Sequence, residues 1–202
     1  MTGDAMAQLR EATASYHEQL ENNGYARAMM NGSMSLEMYR QYVQLFYGFV
    51  KPLEERAVRS AGWEASGLEP ARLKTPQLEV DLRHLGLKET DLAEITLCGN
   101  LPELNSSSRL LGCFYVMEGS TLGGQLITKK LMKRLPLSPG AGISYFAGYG
   151  ERTREMWKAF REKISRAESE GADLAAMREA AVDTFRKLDE WIRSHPATPD
   201  AG

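Results

Sequence analysis

The 202-residue chain lacks most of the features that mark specialised classes of protein. Its two cysteines, Cys98 and Cys113, lie in separate contexts without a C-x-x-C spacing, which predicts buried thiols rather than a redox pair or a zinc site. The longest uninterrupted apolar stretch near the middle, Cys113 to Met117, is far shorter than the ~18 residues that a membrane span needs. No basic-then-apolar leader opens the chain, and we therefore expect a cytoplasmic protein.

An excess of charge of one sign is also missing. Lysine and arginine number 25 against 27 acidic residues, so the formal net charge is −2, and the basic balance typical of nucleic-acid-binding proteins is absent. The sequence has no P-loop, G-x-S-x-G, H-E-x-x-H or strand-linked G-x-G-x-x-G motif. With 43% hydrophobic and 26% charged residues, the composition is that of a globular domain rather than a disordered chain.

Apolar residues recur with the period of helices, and no stretch alternates convincingly with the period of strands. We therefore predict an all-α, single-domain bundle of about seven to nine helices over residues 1–195. Residues 60–105 are predicted as short amphipathic pieces, residues 136–150 as a connection and residues 196–202 as a disordered tail. The clearest predicted helices are Ala5–Asn22, Ser35 to beyond Arg56, Ser106–Leu135, Glu151–Ser169 and Asp173–Ser194.

Four glycines lie inside the predicted central helix, at positions 112, 119, 123 and 124. Each costs roughly 1 kcal/mol of helix propensity relative to alanine, so some other interaction must compensate. One interpretation is close packing between helices, because Gly119 and Gly123 are four residues apart. The other is a bent helix whose bare backbone approaches a flat ligand.

His17 lies on the flank of the apolar stripe of the first helix, about 80° around the axis from Leu9. It is either a boundary residue or a metal ligand that points into a crevice. No second histidine, cysteine or carboxylate stands at the spacing of a closed metal site around it, so a metal bound there would bring its other ligands, as haem does. The nearby Glu18 and Glu21 are interpreted as a solvated helix face.

Two arginines are candidates for binding an anion. Arg10 precedes His17 by seven residues, about 10.5 Å along the helix axis, which is roughly the distance from the centre of a macrocycle to its edge carboxylates. Arg161 falls inside the apolar arc of Trp157 and Phe160, where a charge needs a paired anion. The alternatives are an ordinary solvated residue for Arg10 and an internal salt bridge for Arg161.

Two segments carry a resemblance to a known family. LREATASYHEQLEN (residues 9–22) resembles the proximal helix of haem oxygenases, and EGSTLGGQ (residues 118–125) resembles their distal helix. The form YVMEGSTLGG (residues 115–124) is most similar to bacterial members, including those that make biliverdin for bacteriophytochromes. The resemblance covers nearly the whole chain. It implies a bundle of haem oxygenase type, with haem between the proximal helix and a glycine-kinked distal helix.

The resemblance also implies roles for individual residues. His17 matches the proximal iron ligand and is the implied metal site. Gly119 and Ser120 are the implied catalytic positions on the distal side, where the serine would assist oxygen activation without being the essential proton source. Arg10 and Arg161 match partners of the haem propionates. The complete implied haem-binding set is His17, Arg10, Tyr115, Gly119, Ser120, Gly123, Gly124 and Arg161.

Several positions depart from the pattern of the better-known members. Ser120 stands where those members have a distal aspartate. Trp157 and Val116 replace positions that are often basic, and Val50 replaces a tyrosine. The resemblance therefore implies a distal hydrogen-bond network that is built differently in this chain.

The function implied by the resemblance is oxidative cleavage of haem, which is both cofactor and substrate, to biliverdin, carbon monoxide and ferrous iron. The reaction uses O2. The chain has no flavin or nicotinamide motif, so electrons would come from a separate ferredoxin- or flavoprotein-type reductant. A bacteriophytochrome is a candidate acceptor of the biliverdin. Two alternatives stay open: a haem carrier or sensor that does not degrade haem, and a thiaminase-like hydrolase, for which Cys113 is a poorly placed nucleophile.

Overall fold

A computed structural model describes residues 4–197, and over that range the chain is helical without a β-strand. No helix in this range is both long and apolar enough to cross a membrane. Most of the predicted tail, residues 198–202, lies outside the described residues. The ten α-helices are α1 (Ala5–Glu21), α2 (Gly24–Asn31), α3 (Leu36–Val58), α4 (Trp63–Ser66), α5 (Thr75–His84), α6 (Glu89–Glu94), α7 (Ser107–Leu131), α8 (Ser144–Ala147), α9 (Thr153–Ser169) and α10 (Leu174–Arg193).

The five long predicted helices are all present as α1, α3, α7, α9 and α10. Their starts follow side-chain caps: Ser35, Ser106 and Asp173 each accept a backbone N–H of the first turn of the helix that follows. α7 ends at Leu131, four residues before the predicted end. The polar contrast between faces is strongest in α9 and α10, which cover the outside of the bundle.

The predicted number of helices is too low because two short helices were not anticipated. The cluster Asn22-Asn23-Gly24 ends α1 as predicted, but Asn23 also begins α2 because its side chain accepts the N–H of Ala26 at 2.9 Å. Asparagine serves equally as a turn residue and as a helix cap, so the sequence did not separate these roles. α8 lies inside the predicted connection of residues 136–150.

The packing of the helices leaves a gap between α1 and α7. Both helices pack against α9 and α10, but they make few direct contacts with each other. α8 packs against α7 and α5 at the inner end of this gap. It is held there by Asp81, whose carboxylate accepts the backbone N–H groups of Ser144 at 2.7 Å and Tyr145 at 2.8 Å. The fold therefore positions two helices as the facing walls of an open crevice.

Candidate functional site

A crevice of about 530 Å³ lies between α1 and α7. Its volume falls within the range of about 300–1,000 Å³ that is typical of sites for small organic ligands. One wall is formed by residues of α1 between Arg10 and Glu21. The other is formed by residues of α7 between Tyr115 and Ile127. α3 and α8 supply the inner wall, and Phe185 and Leu188 of α10 also line the space.

His17 projects from the α1 wall with 56% of its side chain exposed. Its ring meets Phe185 edge to face, with centroids 5.7 Å apart and an interplanar angle of 70°. Its Nδ1 lies 3.6 Å from a carboxylate oxygen of Glu21, one turn along α1. A carboxylate beside one ring nitrogen orients the imidazole and leaves the other nitrogen for a ligand. Glu21, interpreted from the sequence as part of a solvated face, therefore belongs to the site.

Gly119 and Gly123 present bare backbone to the crevice from the α7 wall. A methyl group added at Gly123 would meet no atom within 4 Å, and one added at Gly119 would meet only the Trp157 ring, at 3.7 Å. These two glycines are therefore not needed for packing between helices. Of the two interpretations of the glycine pattern, approach of a ligand to the backbone fits this pair.

Gly112 and Gly124 have a different function in the fold. A methyl group at Gly112 would lie 2.0 Å from the carbonyl oxygen of Met177 in α10, and one at Gly124 would lie 2.4 Å from the carbonyl oxygen of Phe146 in α8. Both distances are far below van der Waals contact, so these glycines are required for close packing of α7 against its neighbours. Gly124 also lines the crevice, where it brings α8 close to the α7 wall.

Ser120 lies exposed on the α7 wall of the crevice. Its hydroxyl donates to the carbonyl oxygen of Met117 at 2.8 Å, and the hydroxyl of Thr121 donates to the carbonyl oxygen of Glu118 at 2.6 Å. Such bonds compete with the helical hydrogen bonds of those carbonyls and favour a local bend. The proton of the Ser120 hydroxyl is thus engaged within the helix, while its lone pairs can accept a hydrogen bond from water.

Arg10 of α1 and Tyr115 of α7 both line the crevice. Burial raises the pKa of the Tyr115 hydroxyl, a hydrogen bond with Thr13 lowers it, and the positive charge of Arg10 lowers it further. The Tyr115 ring also packs against Trp157, with centroids 5.9 Å apart. The crevice therefore offers a cation and a phenol to an anionic group.

The expected environment of Arg161 is wrong. The sequence placed it inside an apolar arc, but its side chain is exposed and is not part of the crevice lining. A long arginine side chain can leave an apolar stripe and keep its charge in water, which removes the need for a buried anion. The alternative of an internal salt bridge is not found either, since Arg161 has no ion pair within residues 4–197. Arg161 stands one helical turn beyond Trp157, which does line the crevice.

The inner wall is an aromatic cluster that the sequence analysis did not identify. Tyr42 and Phe46 of α3 pack with their ring centroids 4.8 Å apart, and Phe46 packs against Tyr145 at 5.0 Å and Phe146 at 5.5 Å. All four line the crevice. The spacing of Tyr42 and Phe46, one helical turn apart, was a visible signal. Tyr145 and Phe146 gave none, because α8 was not predicted.

A buried charge cluster lies directly behind the α7 wall. The fully buried carboxylate of Glu118 contacts the Arg72 guanidinium at 2.6 Å, the Lys74 ammonium at 3.3 Å and the Tyr149 hydroxyl at 2.5 Å. Burial and the neighbouring charge of Glu118 raise the pKa of Tyr149, so its hydroxyl stays protonated and donates. Glu54 accepts the backbone N–H groups of Lys74 and Thr75. These long-range pairs leave no spacing signal in the sequence.

The walls of this crevice fit a flat, largely apolar, anionic macrocycle that carries a metal. His17 offers an imidazole that could hold the metal, and the aromatic inner wall supplies apolar surface. The open backbone at Gly119 and Gly123 leaves space in the crevice that a side chain at either position would fill. Arg10 and Tyr115 supply polar partners for carboxylates at the edge. Haem has these properties, and the residues present can hold it.

Comparison with known proteins gives the family. A family model described as "Heme oxygenase" matches residues 4–194. The chain belongs to the haem oxygenase family. Haem degradation is the general function of that family.

Individual haem oxygenases are similar to this chain at the level of sequence. The chain is 30% identical to the haem oxygenase of Xanthomonas campestris pv. campestris over 143 residues, which cover 66% of this chain and 76% of that protein. It is 26% identical to the haem oxygenase of Rhodella violacea over 152 residues, covering 69% of this chain and 64% of the relative.

Two solved haem oxygenase structures share the fold. Haem oxygenase-1 from the cyanobacterium Synechocystis sp. PCC6803, solved in complex with haem, superposes with a TM-score of 0.71 at 19% identity, covering 95% of this chain and 91% of that one. Haem oxygenase from Leptospira interrogans superposes with a TM-score of 0.74 at 18% identity, covering 93% and 98%. The predicted bundle of haem oxygenase type is thus confirmed.

Three positions named as departures from the haem oxygenase pattern have clear places in the structure. Val116 and Trp157 both line the crevice, where they supply apolar surface in place of charge. Val50 is buried in α3 and is not part of the lining. Tyr115, Ser120 and Thr121 of α7 supply polar groups to the lining, and Lys74, which precedes α5 and was not predicted, also lines the crevice.

Cys113 has the properties of a structural residue in this haem oxygenase fold. It is fully buried, and burial raises the pKa of its thiol to about 12. A protonated thiol without access to solvent is a poor nucleophile. The alternative of a hydrolase that uses Cys113 therefore has no support from its surroundings.

Proposed function

We propose that this chain cleaves haem oxidatively to biliverdin, carbon monoxide and ferrous iron, using O2 and electrons from a separate redox protein. One observation carries the proposal: His17 and the open backbone at Gly119 and Gly123 stand on facing walls of one crevice. A histidine on one wall and open backbone at two positions of the other would leave room for a small second ligand. That arrangement suits chemistry with O2 better than closed, two-sided ligation.

His17 would bind the iron through the ring nitrogen that does not face Glu21, and Glu21 would hold the orientation of the ring. Arg10 and Tyr115 would pair with a propionate at the edge of the ring, and Arg161 would reach a propionate from outside the lining. When bound, haem supplies the iron that activates oxygen and the ring that is cleaved. The chain supplies binding, orientation and exclusion of bulk water.

The α7 wall would control the opposite side of the macrocycle. Gly119 and Gly123 let the helix backbone lie against the ring, and the apolar side chains of Val116 and Trp157 exclude water from its surroundings. Ser120 would accept a hydrogen bond from an ordered water, because its own proton is donated to Met117. Gly119 and Ser120 would therefore position water rather than transfer a proton themselves.

We further propose that the protein works in the cytoplasm with a ferredoxin- or flavoprotein-type reductant, and that a bacteriophytochrome accepts the biliverdin. The absence of flavin and nicotinamide motifs from the sequence supports the external reductant. The form of residues 115–124 is most similar to bacterial members that supply such photoreceptors, which supports the acceptor.

The test is to titrate purified protein with haemin, add ascorbate or a ferredoxin system in air, and record the visible spectrum. We expect a Soret band that decays while a biliverdin band rises, with one equivalent of carbon monoxide released per haem, as balance of the reaction requires. His17→Ala should lose the histidine-ligated spectrum and regain it with added imidazole, whereas His84→Ala and His195→Ala serve as matched controls. A stable Soret band under reduction would overturn the proposal and favour the haem carrier or sensor.

A further inference from the structure

The charged residues of the α1 wall are unevenly distributed along the crevice. Arg10 lines it near the start of α1, whereas Glu18 and Glu21 line it near the end. Along the helix axis, Arg10 is about 12 Å from Glu18 and about 16 Å from Glu21, because α-helical residues rise by about 1.5 Å each. His17 stands between Arg10 and the two carboxylates. The α1 wall therefore has a positive end and a negative end.

Other lining residues do not cancel these charges. Neither Arg10 nor Glu18 has an ion pair within residues 4–197. Glu21 lies 3.6 Å from the His17 imidazole, which is neutral when it binds iron, so the carboxylate keeps its negative charge. Lys74, the remaining charged residue of the lining, is buried and paired with a carboxylate behind the α7 wall.

The neighbouring helix adds apolar surface at the negative end. α2 follows α1 directly in the chain and contributes only Ala26 and Met29 to the lining. The cations Arg27 of α2 and Lys130 near the end of α7 are not part of the lining. A negatively charged ligand group at this end of the crevice would therefore meet carboxylates and apolar side chains, without a lining cation to bind it.

We propose that Glu18, together with Glu21, sets the rotational position of haem within its plane by repelling the propionates from the negative end of α1. The inference rests on the proposed function, which supplies the haem. Both propionates lie on one edge of the macrocycle, so a reversed position would bring two more carboxylates beside these two residues. Repulsion of a wrong arrangement is a common source of specificity. Arg10 attracts the propionates at the other end, and both effects favour the same position.

The rotational position has a chemical consequence. The four meso carbons of haem differ in their placement relative to the propionates, so the position of the ring determines which of them lies nearest the open backbone at Gly119 and Gly123. The carbon that is cleaved defines the biliverdin isomer. Glu18, which the sequence assigns to a solvated helix face, is therefore a determinant of the product.

The test measures the rotational position directly and through the product. Proton NMR of the ferric cyanide complex resolves the haem methyl signals of each position, and chromatography gives the biliverdin isomers. We expect Glu18→Gln to raise the ratio of the minor to the major position by about two- to fivefold, the effect typical of exposed charges, with a parallel change in the isomers. Salt at about 0.5 M should raise this ratio in the unchanged protein and raise it less in Glu18→Gln, because salt screens the repulsion.

Three controls separate charge from shape. Glu11→Gln removes the same charge from α1, but at the positive end and outside the lining, so it should not raise the minor position. Glu18→Asp keeps the charge and should keep the ratio of the unchanged protein. The dimethyl ester of haem has uncharged propionates, and with this ligand Glu18→Gln and the unchanged protein should give equal ratios.

The inference is overturned if Glu18→Gln leaves the ratio and the isomers unchanged, or if Glu11→Gln raises the minor position equally. It is also overturned if Glu18→Gln alters the ratio as much with the dimethyl ester as with haem, because the effect would then be steric. In each of these cases the unchanged chain would still cleave haem. Failure of the unchanged chain to form a haem complex would instead contradict the proposed function.

Discussion

Gly112 lies so close to α10 that a methyl group in its place would stand 2.0 Å from the carbonyl oxygen of Met177. Eleven residues further along α7, Gly123 has no atom within 4 Å of the same added group. The two glycines lie in one helix. Gly112 is required for close packing against α10, whereas Gly123 borders the crevice. Alanine substitutions at these two positions therefore separate the stability of the fold from the binding of haem.

Gly112→Ala should destabilise the protein. Because the facing atoms are backbone, neither helix can give way by a change of rotamer, and α7 and α10 must move apart. We expect the free energy of unfolding to fall by about 1–3 kcal/mol or more, as for other overpacked cores. Urea denaturation of the haem-free protein followed by circular dichroism measures this. A midpoint equal to that of the unchanged protein would show that the contact is not as close as described.

Gly123→Ala should stabilise the haem-free protein but weaken the binding of haem. In the haem-free protein it should raise the free energy of unfolding by about 0.5–1 kcal/mol, because alanine favours a helix over glycine. Haem binding should weaken, since the methyl group occupies space that the macrocycle needs, and a penalty of about 1–3 kcal/mol is expected. Quenching of tryptophan fluorescence during haemin titration measures the affinity. Unchanged affinity would place haem away from this turn of α7.

Arg10 should contribute more to the orientation of haem than Arg161. Arg10 lines the crevice beside Tyr115, whereas Arg161 is exposed outside the lining. Both side chains reach solvent, so each is expected to contribute at most about 1 kcal/mol to haem affinity. Arg10→Ala should change the mixture of biliverdin isomers, and Arg161→Ala should change it less.

Chromatography of the products measures the isomers, and Arg154→Ala, which alters an exposed arginine on α9, is the control. A product mixture altered only by Arg161→Ala would contradict this prediction.

Ser120→Ala should slow the reaction without abolishing it. The serine offers only lone pairs to a water, because its proton is donated to Met117. Loss of a neutral hydrogen bond is worth about 0.5–1.5 kcal/mol, which corresponds to a rate reduced by about tenfold or less. Single-turnover decay of the Soret band measures the rate, with Ser120→Thr as the variant that keeps the hydroxyl. Complete loss of biliverdin in Ser120→Ala would make the hydroxyl essential.

The long helices were predictable because each has its own local signals. Ser35, Ser106 and Asp173 cap helices whose apolar residues follow the helical period, and these signals need no tertiary information. α2 and α8 were missed for the opposite reason. α8 is four residues long and depends on Asp81, 63 residues earlier in the chain, to accept the N–H of Ser144.

Some residues of the site were likewise predictable from the sequence, whereas others depend on tertiary contacts. The resemblance carried by two segments named His17 and the glycines of α7, but it could not say which glycines pack and which stay open. That distinction depends on Met177 and Phe146, which are distant in sequence. Lys74 was missed because a lysine in a polar segment is normally solvated, and its burial follows from the position of Glu118.

The lack of direct packing between α1 and α7 bears on how the protein is made. The two walls come from α1 and α7, but α9 and α10, which each pack against both, follow α7 in the chain. A nascent chain that ends before residue 153 has both walls and neither of the helices that pack against both. Loading with haem therefore belongs after α9 and α10 have been made, and pairing of α1 with α10 is a slow, long-range step of folding.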